Sequence, residues 1–192
     1  FARHSALKSV ARKENLGIIS FGHHLMDQAE TVAQRLEGGN ASILGRAGIL
    51  PVRVMDELLY IRPLLRIGKG ELRDLLRENH IEWVEDPSNE NEMFTRVRLR
   101  KELARSPDHV DELLCMSEQA QMRYAQIEME RDKVLTEAIH ELTPWGAMVL
   151  DHSLIPEGDV GEECLREIIH IASGHIPNGH PSRLMPLLSK GG

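Results

Sequence analysis

A short apolar run, Ile18-Ile19-Ser20-Phe21, stops at Gly22 and is followed at once by His23-His24-Leu25-Met26-Asp27-Gln28-Ala29-Glu30-Thr31. The run has the length of a buried strand, and the residues after it repeat apolar side chains at helical spacing. At about 100° per residue, Ala29, Val32, Ala33 and Leu36 share one side of a helix over 26–37, while Asp27, Glu30, Thr31 and Gln34 share the other. A strand that turns into a helix through a glycine restricts the chain to an α/β arrangement. It also brings the histidines and Asp27 to the carboxyl end of the strand, where open α/β sheets bind ligands. The spacing therefore predicts one packed helix face and one that looks into a crevice.

Asp27 falls in the first helical turn, where the positive end of the helix dipole favours a carboxylate. An ionised Asp27 can hold an ammonium group. The plainer alternative is an acidic first-turn residue that only stabilises its helix, and position alone does not choose between them.

The rest of the chain fits alternating elements. Residues 3–15 read as a helix, 58–61 as a second strand ended by Arg62-Pro63, 71–79 as a helix, and 81–84 as a third short strand. Gly38-Gly39 read as the stop of the site helix, and a glycine-punctuated loop runs on to Gly48. Asp86-Pro87-Ser88-Asn89 begins a loop, because proline restricts Asp86 and Ser and Asn favour turns. Strands alternating with helices predict a parallel sheet. After Pro107 the pattern becomes one long polar helix with Val110, Leu113, Leu114, Tyr124, Ile127, Val134 and Ala138 as its apolar contacts. Pro144-Trp145-Gly146 breaks that helix, 148–150 suggests a short strand, and a last helix carries Leu165, Ile168, Ile169 and Ala172 up to Gly174.

Charge separates the same two regions. The whole chain carries a net charge of -7, which argues against a nucleic-acid partner, yet residues 1–105 hold 17 basic against 15 acidic residues. The acidity therefore belongs to the tail, where 6 basic residues face 15 acidic ones. Arg96, Arg98, Arg100, Lys101 and Arg105 fall within ten residues, a cluster that can neutralise phosphates or form a solvated basic helix face. The two cysteines, Cys115 and Cys164, stand far apart and outside any C-x-x-C pattern, which argues against a zinc site or a disulfide framework and fits a reducing cytoplasm. No apolar run approaches a membrane span.

Four blocks occur in order: His23-His24-x-x-Asp27-Gln28-x-Glu30-Thr31, Ile61-Arg62-Pro63-Leu64-Leu65, Trp83-Val84-Glu85-Asp86-Pro87-Ser88-Asn89, and Arg96-x-Arg98-Leu99-Arg100. In order and approximate spacing they resemble the tRNA(Ile)-lysidine synthetases of the PP-loop ATP pyrophosphatase superfamily. The resemblance is strong over about 22–103 and weaker to about 174. There are departures: Met26 stands where many members have a first acid, so only Asp27 inherits that role, and Val97 stands where the arginine block usually has an amide. The Ser-Gly-Gly-x-Asp-Ser loop that cradles the ATP pyrophosphate in the family is not found in these residues, so the resemblance implies a fragment with a half-built site that is inactive by itself.

The resemblance implies a partial Rossmann-like parallel sheet with flanking helices over 1–105, a helical linker over 106–143, and a small, mostly α substrate domain over 144–192. It implies ATP-dependent ligation of lysine to C2 of the wobble cytidine of a tRNA(Ile) with a CAU anticodon, with ATP accompanied by magnesium. Asp27, His23 and Arg98 inherit catalytic roles, and His24, Glu30, Thr31, Arg96 and Arg100 substrate contacts. No metal ligand is assigned. An unpaired sheet edge in such a fragment predicts self-association. Three rival readings remain open. His23, His24 and Asp27 can be ligands of a metal-dependent phosphohydrolase, though adjacent histidines point different ways and no further ligands cluster nearby. The chain can be a non-catalytic RNA-binding or interaction module. It can also be a tRNA thiolase of the same superfamily, which the missing cysteine pattern disfavours.

Overall fold

The computed structural model describes residues 2–39, 42–55, 58–84, 95–143 and 147–173. Contacts group the chain into two units, Phe1–Gln121 and Met122–Gly192. The first unit opens with α1 (Ala2–Lys13), β1 (Ile18–Ser20), α2 (Leu25–Glu37), the short α3 (Ile43–Ala47), β2 (Val52–Met55), β3 (Leu58–Ile61) and α4 (Lys69–Glu78). It then takes in α5 (Thr95–Leu103) and the start of α6 (Pro107–Ala138), within which the boundary between the units falls. The second contains the rest of α6, β4 (Ile139–Leu142), β5 (Met148–Leu150), a 3-10 turn at His152–Leu154 and α7 (Asp159–Ser173).

In the first unit the strand order is β1-β3-β2. β1 pairs with β3 in parallel, Ile18 opposite Leu59 and Ser20 opposite Ile61, as alternating elements lead one to expect. The sheet is nevertheless mixed, because β2 runs antiparallel to β3 with Val52 opposite Ile61 and Met55 opposite Leu58. Sequence reading missed β2. Its four residues pair antiparallel with the strand that follows them in sequence, so β2 needs no crossover helix to announce it.

The expected strand at 81–84 is not one. These residues form no ladder, and Val84 is 94% exposed. The end of α4 explains this: His80 takes a left-handed φ of 54°, and the Ile81 N–H turns back to donate to Leu76 O at 2.9 Å. Trp83 then lies against Arg77, its ring 5.7 Å from the guanidinium. Asp86-Pro87-Ser88-Asn89, Pro144-Trp145-Gly146 and Gly174 lie outside the described residues.

Two apolar clusters hold the first unit. Ala29, Val32 and Ala33 of α2 pack with Leu99 and Leu103 of α5 and Val110 and Leu113 of α6, while Ala11 of α1 packs with Ile19, Leu58 and Tyr60 of the sheet. The loop after α2 contains α3, started by Ser42, whose Oγ accepts the Gly45 N–H at 3.0 Å. It is pinned by Gln28, 3% exposed, whose Nε2 donates to Ala47 O at 2.8 Å and to the buried Ser117 hydroxyl, and whose Oε1 accepts the Ile49 N–H at 2.7 Å. Gly48 closes this corner at φ 67°, and a Cβ there would lie 2.8 Å from both Gln28 Nε2 and Val32 Cγ2, so only glycine fits.

The second unit has its own core. Leu135, Ile155 and the fully buried Cys164 pack with Ile139, Leu150, Val160 and Ile168. β4 and β5 form an antiparallel hairpin with a register irregularity between Ile139 and Glu141.

Candidate functional site

The site is built where β1 hands over to α2. The Phe21 N–H donates to Ile61 O at 2.9 Å, extending the β1–β3 ladder by one residue before Gly22 releases the chain. His24 is the N-cap of α2, with extended backbone at φ -119° and ψ -179°. Its Nδ1 accepts the Met26 N–H at 3.2 Å, and its own N–H donates to Asp27 Oδ2 at 3.0 Å. This reciprocal arrangement is a capping box in which His replaces the usual Ser or Thr and Asp the usual Glu. With Nδ1 accepting, a neutral His24 carries its hydrogen on Nε2, which stands 3.7 Å from Asp27 Oδ2.

The second half of the site arrives from α5. Arg100 forks onto Glu30, with Nε meeting Oε1 and Nη2 3.2 Å from Oε2. Its Nη2 also lies 3.7 Å from Asp27 Oδ1. Hydrogen bonding to Glu30 raises the Arg100 pKa above its ordinary value, against the opposing effect of burial. Glu30 departs from the expected crevice-facing position, because its side chain is 1% exposed. Leu99 and Leu103 of α5 pack on α2, and Arg100 on the same helix covers the edge that periodicity left open.

Asp27, His24, Glu30 and Arg100 thus form one cluster. Thr31 joins through the backbone, its hydroxyl donating to Asp27 O at 2.7 Å rather than to the carboxylate. His23 belongs to a ring stack centred on Phe21, 5.5 Å away and 14° from parallel, with His4 at 5.4 Å, Tyr60 at 5.8 Å and the Arg62 guanidinium 5.4 Å from the Phe21 centroid. Arg98 is exposed on α5. Arg96 lies in the first turn of α5, and its side chain is outside the described residues.

Sequence reading missed the Phe21 stack and the Gln28 corner. Gln28 left a signal, since a polar residue one turn before Val32 interrupts an apolar stripe. The stack left none, because it forms only when β1 and β3 lie side by side. A cavity of about 590 Å³, lined by Leu25, Gln28, Ile61, Arg62 and Leu114 among others, opens on the Leu25–Gln28 side of α2, about a third of a turn round from Asp27. Among the described residues no group of three or more His, Cys, Asp or Glu comes together as a metal-binding set. No helix among them is long and apolar enough to cross a membrane.

The capped Asp27 carboxylate lies just past the end of a parallel strand, the position at which open α/β sheets bind ligands. A family profile described as the PP-loop domain matches residues 1–106, and the chain belongs to that family. Its curated relatives carry the name that the four sequence blocks led one to expect. It is 40% identical over 132 residues to the tRNA(Ile)-lysidine synthase of Mesorhizobium japonicum, which is 66% of this chain and 29% of that protein. To that of Ruegeria pomeroyi it is 40% identical over 103 residues, 54% of this chain and 24% of the relative. To that of Chlamydia pneumoniae it is 37% identical over 101 residues, 53% and 31%. The matched segment is therefore less than a third of each relative.

Proposed function

We propose that this chain is part of a tRNA(Ile)-lysidine synthase, an ATP-dependent ligase that joins lysine to C2 of the wobble cytidine of a CAU-anticodon tRNA(Ile). The observation that carries the reading is the Asp27 carboxylate, held by His24 and faced by Arg100 at the carboxyl end of β1, in a chain whose curated relatives bear that name. In the reaction, the C2 oxygen attacks the α-phosphorus of ATP and pyrophosphate leaves. The lysine ε-amine then attacks C2, AMP departs with the oxygen, and the amine gives up its proton.

Asp27 orients the incoming ammonium and favours loss of its proton as the new bond forms. His23 contacts lysine or phosphate, with His24 beside it, and Arg98 stabilises charge on the transferring phosphoryl group, with Arg96 behind it. Thr31 fixes the turn that carries Asp27. ATP supplies the leaving group. Magnesium belongs to the reading as the ion that accompanies the ATP phosphates. No set of donors among the described residues fits that ion, Asp27 and Glu30 being engaged by His24 and Arg100.

The reading extends the parallel β1–β3 pair into a Rossmann-like sheet over 1–105, followed by a helical linker over 106–143 and a small substrate domain over 144–192. A cytoplasmic location and self-association through an open sheet edge belong to the same reading. ATP-dependent incorporation of labelled lysine into CAU tRNA(Ile) by a full-length protein carrying this chain tests it. Incorporation that falls sharply with Asp27→Asn is expected. No incorporation by the folded protein, with salt-sensitive tRNA binding retained, would replace the reading with a non-catalytic RNA-binding module.

A further inference from the structure

The cavity of about 590 Å³ lies past the carboxyl ends of both parallel strands: Leu25 and Gln28 of α2 follow β1, Arg62 and Pro63 follow β3, and Leu114 and Cys115 come from α6. Its volume is within the roughly 300–1,000 Å³ of small-ligand sites, and the crevice outside strand ends is where open α/β sheets bind. Three polar residues of the lining are already committed to the backbone. Gln28 Nε2 and Ser117 Oγ donate to Ala47 O at 2.8 and 2.9 Å, and Gln121 Nε2 donates to Ala47 O and Ile49 O at 3.0 and 3.2 Å. Arg62 differs. Its Nη1 donates to Leu50 O at 2.8 Å, but its Nε is buried and has no hydrogen-bond partner among the described residues. A buried N–H without an acceptor is costly, and an acceptor brought in by a ligand removes that cost.

The charged lining residues divide by element. Arg62 and Arg66 stand on the turn after β3, Asp111 and Glu118 on α6, and their formal charges cancel. Arg66 meets Glu118 at 3.5 Å with both side chains well exposed, while Leu25, Val52, Pro63 and Leu114 give the cavity apolar walls. A phosphate would lose its water against those walls and meet two carboxylates. A neutral flat ring fits better, with an acceptor for the Arg62 Nε–H and, beside it, a donor for a carboxylate of α6. Cytosine N3 with its 4-amino group makes such an edge, as does adenine N1 with its 6-amino group, whereas uracil and guanine present an N–H beside a carbonyl. We propose that the cavity receives the unpaired target cytosine, with Arg62 specifying it through N3 and an α6 carboxylate taking its amino group. The proposal rests on the lysidine reading. There the lysine ammonium comes to Asp27, so the carbon it attacks lies close by, and the cavity opens a third of a turn round the same helix. Recognition by the N3 and amino edge leaves the C2 oxygen free to react with ATP, and an unstacked base is what such a pocket can enclose.

Equilibrium binding of an anticodon stem-loop RNA to a full-length protein carrying this chain tests the proposal, with C or U at the wobble position. Alkylation of Cys115, read by mass spectrometry, reports where the base goes, because that thiol is exposed and lines the cavity. The RNA with C is expected to bind about tenfold tighter than the RNA with U, and at saturation to slow Cys115 alkylation more. Arg62→Gln should narrow the preference to less than about twofold. Should that variant fail to fold, Cys115→Trp fills the cavity from an exposed position and keeps the Arg62 bond to Leu50 O. It should weaken the RNA with C about tenfold and the RNA with U about twofold or less. Equal affinity for the two RNAs in wild type, an undiminished preference in either folded variant, or equal Cys115 protection by both RNAs would overturn the proposal. A loss of ATP affinity as large as the loss of RNA affinity would also overturn it, by assigning the cavity to the adenine of ATP. Binding needs no turnover, so the two failures separate: absence of lysine incorporation by wild type sinks the lysidine reading, while the Arg62-dependent preference for C over U is still measured.

Discussion

Arg100 in the first unit and Arg131 in the second each gather carboxylates, and they are built in opposite ways. Around Arg100 the acid is hidden and the cation is nearer water: Glu30 is 1% exposed and Arg100 32%. Around Arg131 the cation is the more buried partner at 15%, while Asp132, Glu128 and Glu167 stay 66%, 43% and 35% exposed. Arg131 donates to Asp132 through Nε at 2.8 Å and Nη2 at 2.7 Å, and its Nη1 lies 3.9 Å from each glutamate. Acids that keep their water lose little when their cation goes. A carboxylate withdrawn from water loses more when a two-point cation goes, so the first arrangement constrains geometry more tightly than the second.

The largest expected effect breaks the first arrangement. Arg100→Ala takes the two-point guanidinium from the buried Glu30 carboxylate and should lower stability by about 2–4 kcal/mol, toward the low side of the range for a buried pair because Arg100 is partly exposed. Urea unfolding measures this, and adding Glu30→Gln should restore part of the loss by removing the buried carboxylate that Arg100 matched. A loss below about 1 kcal/mol would place this pair with the surface networks.

The contrast also marks what could be read from the chain alone. β1, α2, β3 and α6 were legible because apolar runs and helical spacing are local signals, and Asp27 was legible because a carboxylate in a first turn has a local reason to be there. The pairing of Glu30 with Arg100 was not. Both residues were expected at the site, but as ligand contacts, since helical phase puts Glu30 beside Asp27 and says nothing of α5 arriving seventy residues later to cover it. β2 and the failure of 81–84 to form a strand depend likewise on partners. A strand is settled by the ladder next to it, and Val52–Met55 has one while 81–84 does not.

A second test concerns what each unit keeps ionisable in its interior. The second unit buries Cys164, and burial pushes its thiol up to about 11 from an ordinary 9.0. A group whose folded pKa is raised contributes stability that is fully present below the unfolded value and is lost as pH rises through the folded one. The Cys164 contribution should therefore hold below about pH 9 and disappear between about pH 9 and 11, at most about 2–3 kcal/mol for a shift of this size. The measurement is the difference in urea stability between wild type and Cys164→Ala across that window, which cancels the lysines and tyrosines that titrate in both proteins. A difference that stays flat with pH would mean the thiol ionises in the folded protein as it does in the unfolded one.

The smallest expected effect sharpens the opening contrast. Arg131→Ala removes a guanidinium from three acids that keep contact with solvent and should cost no more than about 1 kcal/mol, most of it from the packed aliphatic stem. Arg131→Met keeps that stem and should lie within about 0.5 kcal/mol of wild type. Salt separates the two arginines further. Raising ionic strength from about 0.1 M to 1 M shortens the screening length from about 10 Å to 3 Å, which should erase the remaining cost at Arg131 because its acids are in contact with solvent. The Arg100→Ala cost should survive the same titration, since a carboxylate sealed under α5 is beyond the reach of counterions. Two arginines with similar partner counts would then differ in how salt moves them. Equal salt sensitivity at both would mean that Glu30 reaches water in solution, and that the site is held by its helix cap rather than by its buried pair.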